Sequence, residues 1–207
     1  MAIALTIKNA FGGKENVPMP TVQKVLDNYG KAVTAKARAV LAEKNKNATG
    51  NLSADTRHEV LVDAEGDIIL DYPFRSAPYA MFVEKGVRGS IDDSKAPNSP
   101  FKFGSGTGPA GGLKPSIRQW ILDKPVNQWR DLKSGRFMSY DSMARMISRK
   151  VFLHGLPPTN FLGPSLEMLY KRYKGKLEDA FSEDISDYYQ KTLDNQEVNL
   201  VMNFKLL

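Results

Sequence analysis

From Val22 to Leu41 the apolar residues Val22, Val25, Leu26, Tyr29, Val33, Ala37, Val40 and Leu41 recur at steps of three and four. That period belongs to an amphipathic helix with one buried stripe, and it predicts about 24 helical residues with Thr21, just after Pro20, at the N-cap. The opposite face carries Lys24, Asp27, Lys31, Thr34, Arg38 and Lys44. With Asp27 and Glu43 among the cations, this mixture reads as a solvated surface rather than a groove for nucleic acid.

Other segments have their own periods. Ile3, Leu5 and Ile7 fall on one face of an extended chain and Ala2, Ala4 and Thr6 on the other, so residues 1–10 read as a strand; no basic residue precedes the apolar stretch, as a secretion signal requires. Residues 57–63 and 67–72 are β-rich and are separated by Ala64, Glu65 and Gly66, the spacing of a hairpin. The run Tyr79, Ala80, Met81, Phe82, Val83, Glu84 fits a third strand or a short helix equally well. Residues 90–112, with five glycines and three prolines, read as a long exposed loop. Pro115 opens a helix burying Ile117, Trp120 and Ile121, and a second helix runs from Tyr140 to His154 with Gly155 as its stop. Its apolar set is Met143, Met146, Ile147, Val151 and Phe152. Pro164 begins the last long helix, which Gly175 should break or bend. Val198, Leu200, Met202, Phe204 and Leu206 alternate with Asn199, Val201, Asn203 and Lys205, predicting a terminal strand. No internal repeat is visible.

Chemistry is hard to find. The chain has no cysteine, which removes disulfides, thiolate metal sites and cysteine nucleophiles together. His58 and His154 lie outside any metal-ligand spacing and read as structural. Gly106, Gly108 and Gly111 satisfy GxGxxG, but Pro109 interrupts the turn and no strand precedes it. Asp92 with Asp93, and Glu183, Asp184 and Asp187, are carboxylate clusters in solvated contexts. No nucleophile comes with a base and an orienting group, so neither catalysis nor a cofactor or metal is expected. The net charge of +6 in 207 residues attracts polyanions without reaching the density of a dedicated nucleic-acid binder. No window is apolar enough to span a membrane. Weight therefore shifts to binding or assembly. Tyr79, Phe82, Trp129, Phe137 and Phe161 sit in or beside loop-like segments, where aromatics either lock a loop to the core or anchor a partner.

Two stretches resemble a known family. Thr49-Gly50-Asn51-Leu52 followed, after the strand pair, by Tyr79-Ala80-Met81-Phe82-Val83-Glu84-Lys85-Gly86 is similar to the "TG-x-L … YA-x-x-VE-x-G" pattern of tailed-phage neck and tail-completion proteins, the lambda gpZ-like group. Gly155-Leu156-Pro157-Pro158-Thr159-Asn160-Phe161-Leu162-Gly163-Pro164-Ser165 resembles that family's "G-x-x-P-x-x-F-L-x-P-A" box. The match runs over about residues 20–182. Lys85, the long 90–112 loop and the extension after Ser182 depart from the pattern. The resemblance implies a structural virion protein, made in the host cytoplasm and assembled as a ring, a hexamer or dodecamer, at the neck or head-proximal tail end. Its partners would be further copies, portal or connector proteins, the tail tube or tail terminator, and DNA passing without sequence-specific binding.

The expectation is thus an α+β protein, a single domain over residues 1–207 with a small, mainly antiparallel sheet from the termini and the central hairpin, packed against several long amphipathic helices. The candidate assembly interface is Tyr79, Phe82, Glu84, Gly86, Pro157, Pro158, Phe161, Leu162 and Pro164; prolines should stiffen the loop that presents Phe161 and Leu162. Glu84 reads as a surface carboxylate, with an ion pair across a subunit boundary as its alternative. Leu200, Met202 and Phe204 are the candidate inter-subunit strand. Arg145, Arg149, Lys150, Lys171 and Arg172 are the candidate DNA-facing cations, and they carry the rival reading of a nucleic-acid-binding protein.

Overall fold

The computed structural model describes residues 3–7, 17–46, 49–104, 112–124 and 126–205, with side chains left out at 3–4 and 195–205. These residues form an α+β protein: strands β1 (Ile3–Ile7), β2 (Glu59–Val62) and β3 (Ile68–Tyr72), and helices α1 (Pro20–Glu43), α2 (Asn51–Asp55), α3 (Ala80–Lys85), α4 (Leu113–Asp123), α5 (Tyr140–His154) and α6 (Gly163–Lys205). The chain divides into two compact units. Unit 1 comprises residues 1–37, 56–74 and 164–207, and unit 2 comprises 38–55 and 75–163.

In unit 1 the sheet is antiparallel in the order β1-β3-β2, so β1 and β2 are its outer strands among the described residues. Ile68, Leu70 and Tyr72 alternate inward along β3 and are buried. They meet the stripe foreseen on α1, where Val22, Leu26, Tyr29 and Val33 are buried. The close approach is at Gly30: a Cβ there would lie 2.3 Å from the His58 ring and 2.9 Å from Leu70. Tyr72 Oη donates to Gly30 O at 3.4 Å. On the α6 side, Tyr29 Oη donates to Leu166 O at 2.8 Å, and the Tyr29 and Tyr173 rings sit 5.5 Å apart. Burial, with Tyr170 adding to it, pushes the Tyr29 phenol up to about 12.

Three expectations are corrected in this unit. Thr21 does not cap α1, which begins at Pro20; Asp184 of α6 takes the amides of Thr21 and Val22 at 3.1 and 2.9 Å. This buried carboxylate supplies from elsewhere in the chain what an N-cap side chain supplies locally. Gly175 neither breaks nor ends α6, whose 43 residues run through it. The predicted terminal strand is helix as well, and Leu200, Met202 and Phe204 lie in α6. Nothing between Lys176 and the C-terminus is glycine or proline, so a helix once nucleated continues at small cost per residue.

Unit 2 is helical and loop-rich. α4 and α5 pack through Ile121, Met143 and Ala144, with Ile117, Val126, Met138, Tyr140 and Ile147 around them. α5 is capped by Ser139, whose hydroxyl accepts from the Ser142 amide at 3.2 Å, and it ends at Gly155 as foreseen. Trp120 is corrected from buried to exposed, with the Lys124 ammonium 5.7 Å over its ring. Met146 and Phe152, expected in the apolar set of α5, are also exposed. The run after Pro78 resolves as the helix α3, Ala80–Lys85, between Tyr79 and Gly86. The predicted loop at 90–112 is not exposed throughout: Ala96 and Ser99 are buried, and Ser99 Oγ donates to Gly86 O at 2.7 Å. Residues 105–111 lie outside the described part, and the GxGxxG glycines 106, 108 and 111 with them. Among the described residues no helix is long and apolar enough to cross a membrane.

Candidate assembly site

The sequence boxes converge in unit 2, and buried carboxylates join them. Asp55, closing the short helix that follows Thr49-Gly50, takes the amides of Ser76 and Ala77 through one oxygen, both at 2.8 Å. Those residues lead into α3, whose last turn carries Glu84. Glu84 Oε2 accepts from the amides of Phe161 and Leu162 at 2.7 and 3.0 Å, and Oε1 from that of Gly163 at 2.8 Å. Its backbone carbonyl takes the Asn160 amide at 3.1 Å, and Val83 O takes Thr159 at 2.9 Å. Five consecutive amides, 159–163, therefore end on two adjacent residues. Lys44, the residue after α1, closes the arrangement by donating its ammonium to Thr159 O at 2.6 Å.

The reason is local. A segment starting with Pro157-Pro158 cannot pair as a strand, and its following amides, once buried, must find acceptors. The last turn of α3 has free carbonyls, and its penultimate side chain, Glu84, is a carboxylate that can take several donors. Glu84 lies four residues after Ala80, so both face inward from one side of the helix, at 3% and 1% exposure.

A second joint holds the same pieces. Val87 and Leu156 exchange both backbone hydrogen bonds, at 2.9 and 2.8 Å, and each is preceded by a glycine near φ +70° with ψ near 180°. That region is almost closed to other residues. A Cβ at Gly86 would lie 2.6 Å from Leu156 O, and one at Gly155 2.2 Å from Val87 O.

These contacts revise the expected interface. Phe161 and Leu162 are fully buried, so the proline-braced loop does not present them to neighbours. Glu84 is neither a surface carboxylate nor placed for an ion pair, and Gly86 is buried. Tyr79 and Phe82 remain about 40% exposed, Phe82 edge-on to Phe101 at 4.5 Å, while Pro157 and Pro164 are exposed and Pro158 is half-buried. Of the other loop aromatics, Trp129 is 42% and Phe137 60% exposed. The five basic candidates are all exposed, Arg145, Arg149 and Lys150 on α5 in unit 2 and Lys171 and Arg172 on α6 in unit 1.

The polar clusters are largely engaged. His58 lies between Asp27, at 3.0 Å, and Thr34, at 3.3 Å. His154 meets Asp92 at 3.1 Å, and the Ser94 amide donates to the other oxygen of Asp92 at 3.0 Å. Those two partners, Ser94 foremost, hold the Asp92 carboxyl down at about 2. One cluster went unforeseen: carboxylate oxygens of Asp63, Glu65 and Asp67, at the β2–β3 turn, lie within 4.8 Å of one another. Asp63 there accepts from the amides of Glu65 and Asp67 at 3.0 and 2.9 Å.

No family model, curated protein or solved structure matches the chain.

Proposed function

We propose that this chain is a structural virion protein of a tailed bacteriophage, a subunit of a ring at the neck or head-proximal end of the tail that completes the tail or joins it to the head. It acts by shape, without catalysis or cofactor. Its partners are further copies of itself, the portal or connector proteins on one side, the tail tube or terminator on the other, and DNA passing through the channel.

The observation that carries this reading is the junction at Glu84. The resemblance rests on short boxes far apart in sequence, and chance matches have no reason to converge. Here the glutamate of the first box takes three backbone amides of the second, while Asp55, five residues after Gly50 at the end of α2, supports the approach to α3. A rigid core of this kind suits a ring subunit, which must hold two different complementary surfaces at a fixed angle. The test is mass. Light scattering on the purified chain, alone and with portal or tube subunits, should give multiples of 23.0 kDa that close at one defined number. A chain that stays monomeric in every mixture, and is missing from purified virions by mass spectrometry, refutes the proposal.

The five exposed cations favour one second reading, a nucleic-acid-binding protein. Such a protein would retain duplex DNA at low salt as a monomer, with no other virion component present.

A further inference from the structure

Residues 129–138 form a short exposed arm whose shape is fixed in the isolated chain. Arg130 and Phe137 are bridged antiparallel, with Met138 N donating to Trp129 O at 2.8 Å and Asp131 N to Arg136 O at 2.9 Å. Asp131 sets the tip: its Oδ1 accepts from Lys133 N at 3.0 Å, Ser134 N at 2.7 Å and Ser134 Oγ at 2.9 Å, while Gly135 takes φ +68°. This built turn presents apolar groups to water. Leu132 at the tip is 101% exposed, and Phe137, beneath the Arg130 guanidinium at 4.7 Å, is 60% exposed. The arm carries three basic residues against one acidic. Trp and Arg on a preordered support are what protein-binding hot spots are made of, because little entropy is lost when they dock.

The surface that fits it is in unit 1. The β2–β3 hairpin, residues 59–71, holds five Asp and Glu and no Lys or Arg, in a chain whose net charge is +6. Three of those carboxylates crowd together at its turn. β2 is an outer strand, and it exposes Leu61 and Val62 at 47% and 46%. Apolar groups beside negative charge complement apolar groups beside positive charge.

We infer that the arm of one copy docks on the outer edge of β2 in a second copy, Leu132 and Phe137 straddling that edge to reach Leu61 on one face and Val62 on the other, while Arg130, Lys133 and Arg136 face Asp63 and Glu65 at the turn. The contact joins two different surfaces, so it propagates head to tail and closes into a ring where the rotation allows. This rests on the ring reading and names the contact that builds it.

Two variants of the full chain test it. Leu132→Glu with Arg136→Glu spoils the arm, and Leu61→Lys with Glu65→Lys spoils the hairpin; all four residues are exposed, and unchanged circular dichroism and melting check the fold. Each variant alone should stay monomeric where the wild type assembles, its dissociation constant raised about a hundredfold or more. Mixed one to one, the sound arm of one variant meets the sound hairpin of the other, and growth stops at two subunits. Assembly of either variant alone at wild-type concentrations overturns the inference while leaving the ring reading intact, and so does a mixture that stays monomeric. A spoiled arm that abolishes retention of duplex DNA but not assembly overturns it too. A wild type that is monomeric alone and with portal or tube subunits removes the ring reading and this contact together.

Discussion

The strongest demand on a single side chain falls on Glu84, whose two oxygens accept three backbone amides inside unit 2. Hydrogen bonds to an ionised acceptor are about twice as strong as neutral ones, and an amide buried without its acceptor bears the full desolvation penalty. Glu84→Gln removes one acceptor and turns an NH2 group towards a backbone donor, a loss of about 2 kcal/mol; Glu84→Ala leaves all three amides unanswered, about 3 kcal/mol or more. Urea unfolding of the purified variants measures both. A loss below about 0.5 kcal/mol for the alanine variant would mean that water replaces the carboxylate freely and the junction is not rigid. The residue was half legible in the sequence. Glutamate at the end of an apolar run reads as surface; its inward place follows only once the run is a helix, four residues from Ala80, and the amides after Pro157-Pro158 need acceptors, neither of which the local pattern decides.

At the scale of elements, the end of α5 is tied to the loop before Ala96 by Asp92, which holds the Ser94 amide and the His154 ring. A carboxyl kept down at about 2 in the folded chain, against roughly 3.9 unfolded, stabilises the fold above pH 4 and loses that contribution as pH falls towards 2. Asp92→Asn should therefore melt below the wild type at pH 6, with the gap closing between about pH 4 and pH 2. A gap independent of pH would assign the effect to shape rather than charge. The elements themselves were legible where one period had no rival. α1 was clear over its whole length because its stripe fits 3.6 and not 2, and the β2–β3 hairpin because Gly66 punctuates it. The C-terminal segment satisfied both periods: Val201, the apolar exception on the polar side of the alternation, lies three residues from Val198, and Val198–Met202 and Leu200–Phe204 are helical steps of four. Continuation of α6 decided it, a property of the preceding thirty-odd residues that a local window cannot see. Asp184 was misplaced for the same kind of reason, since its partners, the Thr21 and Val22 amides, stand some 160 positions away.

For the whole molecule, a net charge of +6 coexists with a basic-free hairpin and with cations spread over two units, so contact with DNA should be diffuse. Each phosphate neutralised on duplex DNA releases counterions and contributes about −0.9 to the slope of log affinity against log salt. Five candidate cations, if all engaged at once, set a bound of about −4.5, and Arg145 and Arg149, four residues apart on one helix face, are the pair best placed to share a phosphate run. A ring through which the genome travels should bind still more loosely, because a lining that gripped each phosphate would oppose passage. The purified chain should thus show a slope shallower than that bound and equal affinity for duplexes of unrelated sequence. Arg149→Ala should flatten the slope by about one and change no sequence preference, since phosphate contacts position but do not specify. Fluorescence anisotropy across a salt series reads all three quantities. A slope steeper than the bound, or a preferred sequence, would transfer the protein to the nucleic-acid-binding reading, because only dedicated recognition concentrates that many contacts in a chain of such modest charge.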